Sequence, residues 1–263
     1  MKHLHGFIIN LQFFTMIPVP VELSMDDDHL KKAVKTFPLL GLLQGLIYAL
    51  AVFILVHWTP LSVLAIAFIL WLMMILMTGG IHLDGWMDAC DAYFSYSSIE
   101  RRLEIMKDPR TGAFGVLSAI VLLSTKFLFI YEIVSRITFT SYLLIIILPF
   151  LSKGLMGLIL MTVQQAKEEG LAYHFRKAGD SPIGLVYLIY WIVITGLVTL
   201  IDFGTLLPIM IMFIVVMSCF ILLRSKTVKW FGGITGDVLG ASVEGVELML
   251  WMTIWLLHYS VMV

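Results

Sequence analysis

Along the chain, apolar residues gather into long runs with short polar breaks between them, and this pattern predicts the architecture. Six runs stand out, at 37–57, 61–81, 113–133, 139–161, 183–202 and 205–223, each long enough for a helix to cross a hydrocarbon core, which takes roughly 20 residues. A seventh, 248–263, is shorter and amphipathic at its start, and a start nearer Val243 is the alternative. Trp58-Thr59-Pro60 and Asp202-Phe203-Gly204 are breaks of the kind that join antiparallel helices. Near the N-terminus, Lys2 precedes an apolar stretch, Phe7 to Ile17, that runs into Pro18-Val19-Pro20 without a small-residue cleavage site. It reads as a retained interfacial or re-entrant helix and not as a signal peptide. No internal repeat and no long linker interrupts the chain. The expectation is one all-α domain over residues 1–263, a polytopic integral membrane bundle of about seven transmembrane helices with an N-terminal interfacial segment.

Composition agrees. Charged residues make up 13% of the 263 residues and hydrophobic ones 60%, whereas a soluble domain carries roughly a quarter charged residues. Such a chain lacks the polar surface to face water, so lipid is its main solvent. A net charge of −1 gives no basic footprint for nucleic acid. The two cysteines lie in unlike settings, Cys219 in an apolar run and Cys90 among carboxylates, which argues against a disulfide framework.

The distribution of charge sets the topology. Of the 17 Lys and Arg residues, fourteen fall in the segments 1–36, 82–112, 162–182 and 224–247, and Arg136 stands alone in the alternate connections. Lys126 and Lys153 lie within spans. This asymmetry places the four basic segments and the N-terminus in the cytoplasm, and the C-terminus outside if the seventh span is real.

Three polar segments sit on that basic side. In the first, Gly79-Gly80-Ile81-His82-Leu83-Asp84-Gly85 leads to Asp88 and Asp91. On a helix Asp88 lies about 40° and Asp91 about 20° from Asp84, so three carboxylates share one face, while His82 lies about 160° away. Three like charges that close repel, and a hard divalent cation would relieve them; the plain alternative is a solvated interfacial helix. Gly79 and Gly80 let the chain leave the bilayer or admit a phosphate to the backbone. Asp84 and Asp88 are assigned as metal ligands, and Asp91 either as the general base or as a third ligand. The second segment runs from Glu100 through Glu104 and Asp108-Pro109-Arg110 to Gly112. There Pro109 turns Asp108 out of the helix and the Arg110 fork suits a diphosphate, although the same residues also suit an amphipathic surface helix. The third carries Asp237 and Glu244, about 20° apart on a helix, with Glu247 on the adjoining edge; Gly236, Gly240 and Ala241 allow close helix packing in a membrane. Lys153, deep in its span, is a candidate for substrate phosphate or for a buried pair.

Taken together, the first motif with Asp84, Asp88 and Asp91, Glu104-Ile105-Met106-Lys107-Asp108 with Arg110 and Gly112, and Gly233-x-Thr235-Gly236-Asp237 with Glu244 resemble the cobalamin synthase family. Phe37-Pro38-Leu39-Leu40-Gly41 and Glu168-Glu169-Gly170-Leu171 add to the resemblance, which covers nearly the whole chain. Trp86, Met87, Ala92 and Pro109 depart from the family pattern, and every carboxylate is kept. The resemblance implies an adenosylcobinamide-GDP ribazoletransferase. Such an enzyme is Mg²⁺-dependent and sits in the inner (cytoplasmic) membrane. It joins adenosylcobinamide-GDP to α-ribazole or its 5′-phosphate with release of GMP. It implies Asp91, Asp108 and Arg110 as catalytic residues, Asp84, Asp88 and Asp91 as metal ligands, and Gly80, His82, Glu104, Lys153, Asp237 and Glu244 as substrate contacts. The partners are the two small substrates and the bilayer, and a homo-oligomer is compatible with such a bundle.

Two rivals are weaker. A CDP-alcohol phosphotransferase would carry Asp-Gly-x2-Ala-Arg, whereas Asp84-Gly85-Trp86-Met87 leads to Asp88-Ala89 with no arginine nearby. An ion-coupled transporter would place its acids at mid-span.

Overall fold

A computed structural model describes residues 2–178 and 183–260. Eleven α-helices occur among these residues: α1 (Lys2–Phe14), α2 (Asp27–Trp58), α3 (Val63–Thr78), α4 (Ile81–Phe94), α5 (Ile99–Ile105), α6 (Ala113–Ser135), α7 (Phe139–Thr162), α8 (Leu171–Ala178), α9 (Ile183–Ile201), α10 (Leu206–Phe231) and α11 (Gly236–Ser260). The all-α membrane bundle expected from the sequence is present. Six helices, α2, α6, α7, α9, α10 and α11, are long and apolar enough to cross a membrane. α3 and α4 pass that test only as a pair, bent by 85° between them. We read α3 as the seventh crossing and α4, turned away from it, as lying outside the spanning segments.

The bend has a local cause. Gly79 and Gly80 both take left-handed backbone angles, φ 62° and 76°, which cost side-chain-bearing residues energy and glycine almost none. α7 forms the buried centre of the bundle. α2 packs on it through Gly41 and Gly45, where an added Cβ would collide with the backbone of Pro149 and Ile146. Packing of helix backbones through small residues is a principal source of association in lipid, where the hydrophobic effect between helices is weak. The N-terminal stretch forms α1, too short to cross, and Asn10 ties it to α2 by donating to the Ala33 carbonyl (2.7 Å) and to Thr36 Oγ1 (2.9 Å).

One boundary moves. The seventh run was expected at 248–263, or from nearer Val243, but α11 begins earlier still, at Gly236, so the acids Asp237, Glu244 and Glu247, read at helical phase, lie within the same helix. The small residues and acids at its start depress its hydropathy, and pairing inside the bundle makes up for that. The ends of two expected segments, 179–182 and 261–263, lie outside the described residues.

Candidate functional site

The acids of the first and third motifs meet because α4 and the first half of α11 pack backbone to backbone. A Cβ on Gly85 would stand 2.7 Å from the Asp237 carbonyl oxygen, and one on Gly240 would stand 3.1 Å from His82 Cα. This close crossing sets Asp237 beside Asp84 and Asp88, at the end of the bundle where the basic segments gather. Asp88 is half-buried. Burial first, and then the neighbouring Asp84, Asp237 and Asp91, push its carboxyl up to about 6.

Asp91 faces the start of α6. Its Oδ2 accepts from the Gly112 N–H at 2.6 Å and its Oδ1 from the Gly115 N–H at 2.8 Å. It therefore satisfies two of the backbone donors that a helix start leaves without partners. This geometry alters the role expected for it, because a base must be free to reach a substrate hydroxyl. Asp88, Asp91, Asp108 and Arg110 nevertheless line one cleft of about 130 Å³. On its rim Arg110 forks onto Asp108, with Nε 2.9 Å from Oδ1 and Nη2 2.7 Å from Oδ2. These bonds, with the Arg110 backbone N–H, hold Asp108 down to about 2. Arg110 is 86% exposed, so its remaining donors point to solvent.

Five expected substrate contacts lie elsewhere. Glu104 sits on the exposed face of α5, paired with Arg101 at 2.7 Å. His82 is buried and stacked on Phe14, with ring planes 17° apart. It points into the bundle because it lies opposite the acids on α4. Glu244 and Lys153 belong to an ion network at membrane depth. Lys126 on α6 pairs with Glu244 and lies 3.4 Å from Glu247, while Lys153 on α7 lies 3.8 Å from Glu247, which also accepts from Ser152 at 3.0 Å. Of the alternatives for Lys153, the buried pair is the one the fold makes. Gly80 lines a small internal cavity with His82, Lys126 and both glutamates. The Glu132 side chain, by contrast, accepts from Tyr259 Oη at 2.9 Å.

Two lysines not assigned from the sequence stand near Asp237. The loop 163–170 crosses to the start of α11, where Ile234 N–H donates to the Gln164 carbonyl (2.8 Å) and Ala166 N–H to the Ile234 carbonyl (3.1 Å). The crossing brings Lys167 to the acids, and its Nζ donates to the Leu103 carbonyl at 3.0 Å. Lys107, paired with Glu169, lines a cavity together with Lys167 and Asp237. Burial and the nearby Lys107 charge push Lys167 down, and Asp237 opposes them. Only the fold makes these neighbours, so spacing gave no sign of them.

The site thus offers Asp84, Asp88 and Asp237 as hard oxygen donors, with cations on two flanks. Among the described residues no three His, Cys, Asp or Glu side chains close into a ready metal cage. The donor set is open, in the manner of sites where substrate phosphates and water complete the shell.

Comparison with known proteins agrees with the motifs. The model of the cobalamin-5-phosphate synthase family matches residues 6–255. The chain is 40% identical over 261 residues to the adenosylcobinamide-GDP ribazoletransferase of Geobacillus sp. (strain WCH70), covering 98% of each. It is 38% identical over 267 residues to that of Geobacillus thermodenitrificans (strain NG80-2), again covering 98% of each. To that of Clostridioides difficile (strain 630) it is 34% identical over 262 residues, covering 96% of this chain and 98% of the relative. No solved structure matches. With a match of this length carrying all three acidic motifs, the chain belongs to the cobalamin-5-phosphate synthase family.

Proposed function

We propose that this chain joins adenosylcobinamide-GDP to α-ribazole, giving adenosylcobalamin and GMP. A ribose hydroxyl oxygen of the acceptor attacks the diphosphate phosphorus on the cobinamide side. The bond from that phosphorus to the bridging oxygen breaks, GMP leaves with the oxygen, and the hydroxyl's proton passes to solvent water. The observation that carries this reading is the meeting of Asp84 and Asp88 on α4 with Asp237 on α11, in a chain of this family. Transfer at phosphorus asks a protein mainly for positioning and charge stabilisation.

The chemistry of the donors fits Mg²⁺. Asp84, Asp88 and Asp237 would hold it, leaving positions for the diphosphate, and when bound it supplies neutralising charge there. The protein's own groups do the rest. Arg110 presents a fork at the cleft mouth, suited to phosphate oxygens. Asp91 fixes the start of α6, and with it Gly112, at the cleft wall, which makes it a positioning residue in our reading. The basic face is assigned to the cytoplasm, by the positive-inside asymmetry, and the membrane to the cytoplasmic one.

The test is turnover by purified protein in detergent with both substrates. Formation of GMP and adenosylcobalamin in equal amounts supports the reading, and absence of both with folded protein would refute it.

A further inference from the structure

Beside the acids lies a cavity of about 430 Å³ between the loop 163–170 and the start of α11, lined in part by Lys107, Lys167, Glu169, Thr235, Gly236 and Asp237. Its size falls in the range of small-molecule sites. We propose that this cavity binds the phosphate of the departing nucleoside monophosphate, with Lys107 and Lys167 as its cationic contacts. The inference rests on the transfer reaction proposed above and assigns the side of the site from which GMP leaves.

Three observations carry it. The cavity reaches Asp237, so an occupant is continuous with the carboxylates that face the diphosphate. An ammonium has three donors; Lys167 uses one on the Leu103 carbonyl and Lys107 pairs with Glu169, which leaves both with donors for an anion. The backbone there is also open, since a Cβ added at Gly170 or Gly236 would meet nothing within 4 Å. Gly236 begins α11, 25 residues long, whose positive end adds to the lysines. Thr235 Oγ1 accepts from the Val238 N–H at 3.2 Å and has only long contacts as a donor, to Asp237 Oδ2 at 3.5 Å and Met106 Sδ at 3.9 Å. As the bridging bond breaks, negative charge grows on the leaving phosphate, where these groups stand. The separate small cleft lined by Asp88, Asp108 and Arg110 is left to the acceptor side of the reaction.

A phosphate could come from the nucleotide or from the acceptor's 5′-phosphate, and the experiment separates the two. GMP binding to the full-length protein is measured by calorimetry for wild type, Lys167→Met, Lys167→Arg and Lys107→Met. KM is measured for adenosylcobinamide-GDP, α-ribazole and α-ribazole 5′-phosphate. Loss of a charged hydrogen bond should weaken GMP binding and raise the donor KM about tenfold in either Met variant, with both acceptor KM values unchanged and much of the affinity restored by Arg. Lys107→Met keeps the test decisive if Lys167→Met fails to fold. Unchanged GMP affinity, or a KM rise confined to α-ribazole 5′-phosphate, would overturn the proposal. GMP binding needs no turnover, so lysine-dependent binding in a protein that fails to join the substrates would sink the reaction and leave the phosphate site standing.

Discussion

Gly85 on α4 lies against the backbone of Asp237 on α11, so close that a Cβ at residue 85 would stand 2.7 Å from the Asp237 carbonyl oxygen. With the Gly240–His82 contact, it brings the first and third acidic motifs to one place, although more than a hundred residues of chain separate them. Gly85→Val should therefore part α4 from α11 and lower turnover at least tenfold, with overpacking that costs about 1–3 kcal/mol. Its signature is a raised Mg²⁺ concentration for half-maximal activity, measured beside thermal stability in detergent. A variant with normal Mg²⁺ demand would show that the two helices need no close contact.

Asp91→Asn tests the positioning role. An amide has one acceptor oxygen where the carboxylate has two, so one of the Gly112 and Gly115 N–H groups loses its partner, at a cost of about 1–3 kcal/mol. The expected result is a lower melting temperature and reduced turnover, with the pH–rate profile unchanged in shape. Loss of the acidic limb of that profile at normal stability would return Asp91 to the role of base.

The intramembrane network predicts a pronounced non-additivity. Lys126→Met leaves Glu244 and Glu247 buried with only Lys153 near them, and breaking a buried pair from one side costs about 3–5 kcal/mol. Lys126→Met combined with Glu244→Gln should be more stable than Lys126→Met alone. Thermal melts of the four proteins in one detergent give the coupling, and simple additivity would contradict the pairing.

Asp88 sets a pH dependence whose sign follows from its raised carboxyl pKa. The metal-free fold takes up a proton near pH 6, well above an unfolded aspartate, so folding favours the protonated form. This contribution is fully present only below the unfolded pKa and is lost as pH rises through 6, so part of it is regained at pH 5. Metal-free protein should gain melting temperature from pH 7.5 to pH 5, and Mg²⁺ should stabilise more at pH 7.5 than at pH 5. Asp88→Asn should remove most of both differences. An equal Mg²⁺ effect at the two pH values would remove Asp88 from the metal site.

Hydropathy alone located most spans, because lipid makes length and apolarity sufficient for a crossing. It missed the start of α11, where Asp237, Glu244 and Glu247 lower the apolarity of the first turns although their phase is helical; the lysines that neutralise the glutamates come from α6 and α7, far away along the chain. The shared face of Asp84, Asp88 and Asp91 was legible because helical periodicity is local. What each acid touches was not. Asp91 meets α6 across a connecting segment, and the Lys167 loop meets α11 by a backbone pairing without a side-chain pattern. Helical phase did separate His82 from the acids, and the fold puts that ring inside the bundle.

The central claim is that carboxylates from α4 and α11 jointly hold Mg²⁺ for transfer at the diphosphate. The most direct measurement is a Mg²⁺ titration of turnover, with adenosylcobinamide-GDP and α-ribazole, for wild type, Asp84→Asn and Asp237→Asn. Wild type should be inactive with chelator and recover with Mg²⁺, while both variants, still folded, should need far more Mg²⁺ or fail to respond. Chelator-resistant wild-type turnover, or an Asp237→Asn protein with a wild-type Mg²⁺ curve, would contradict the account.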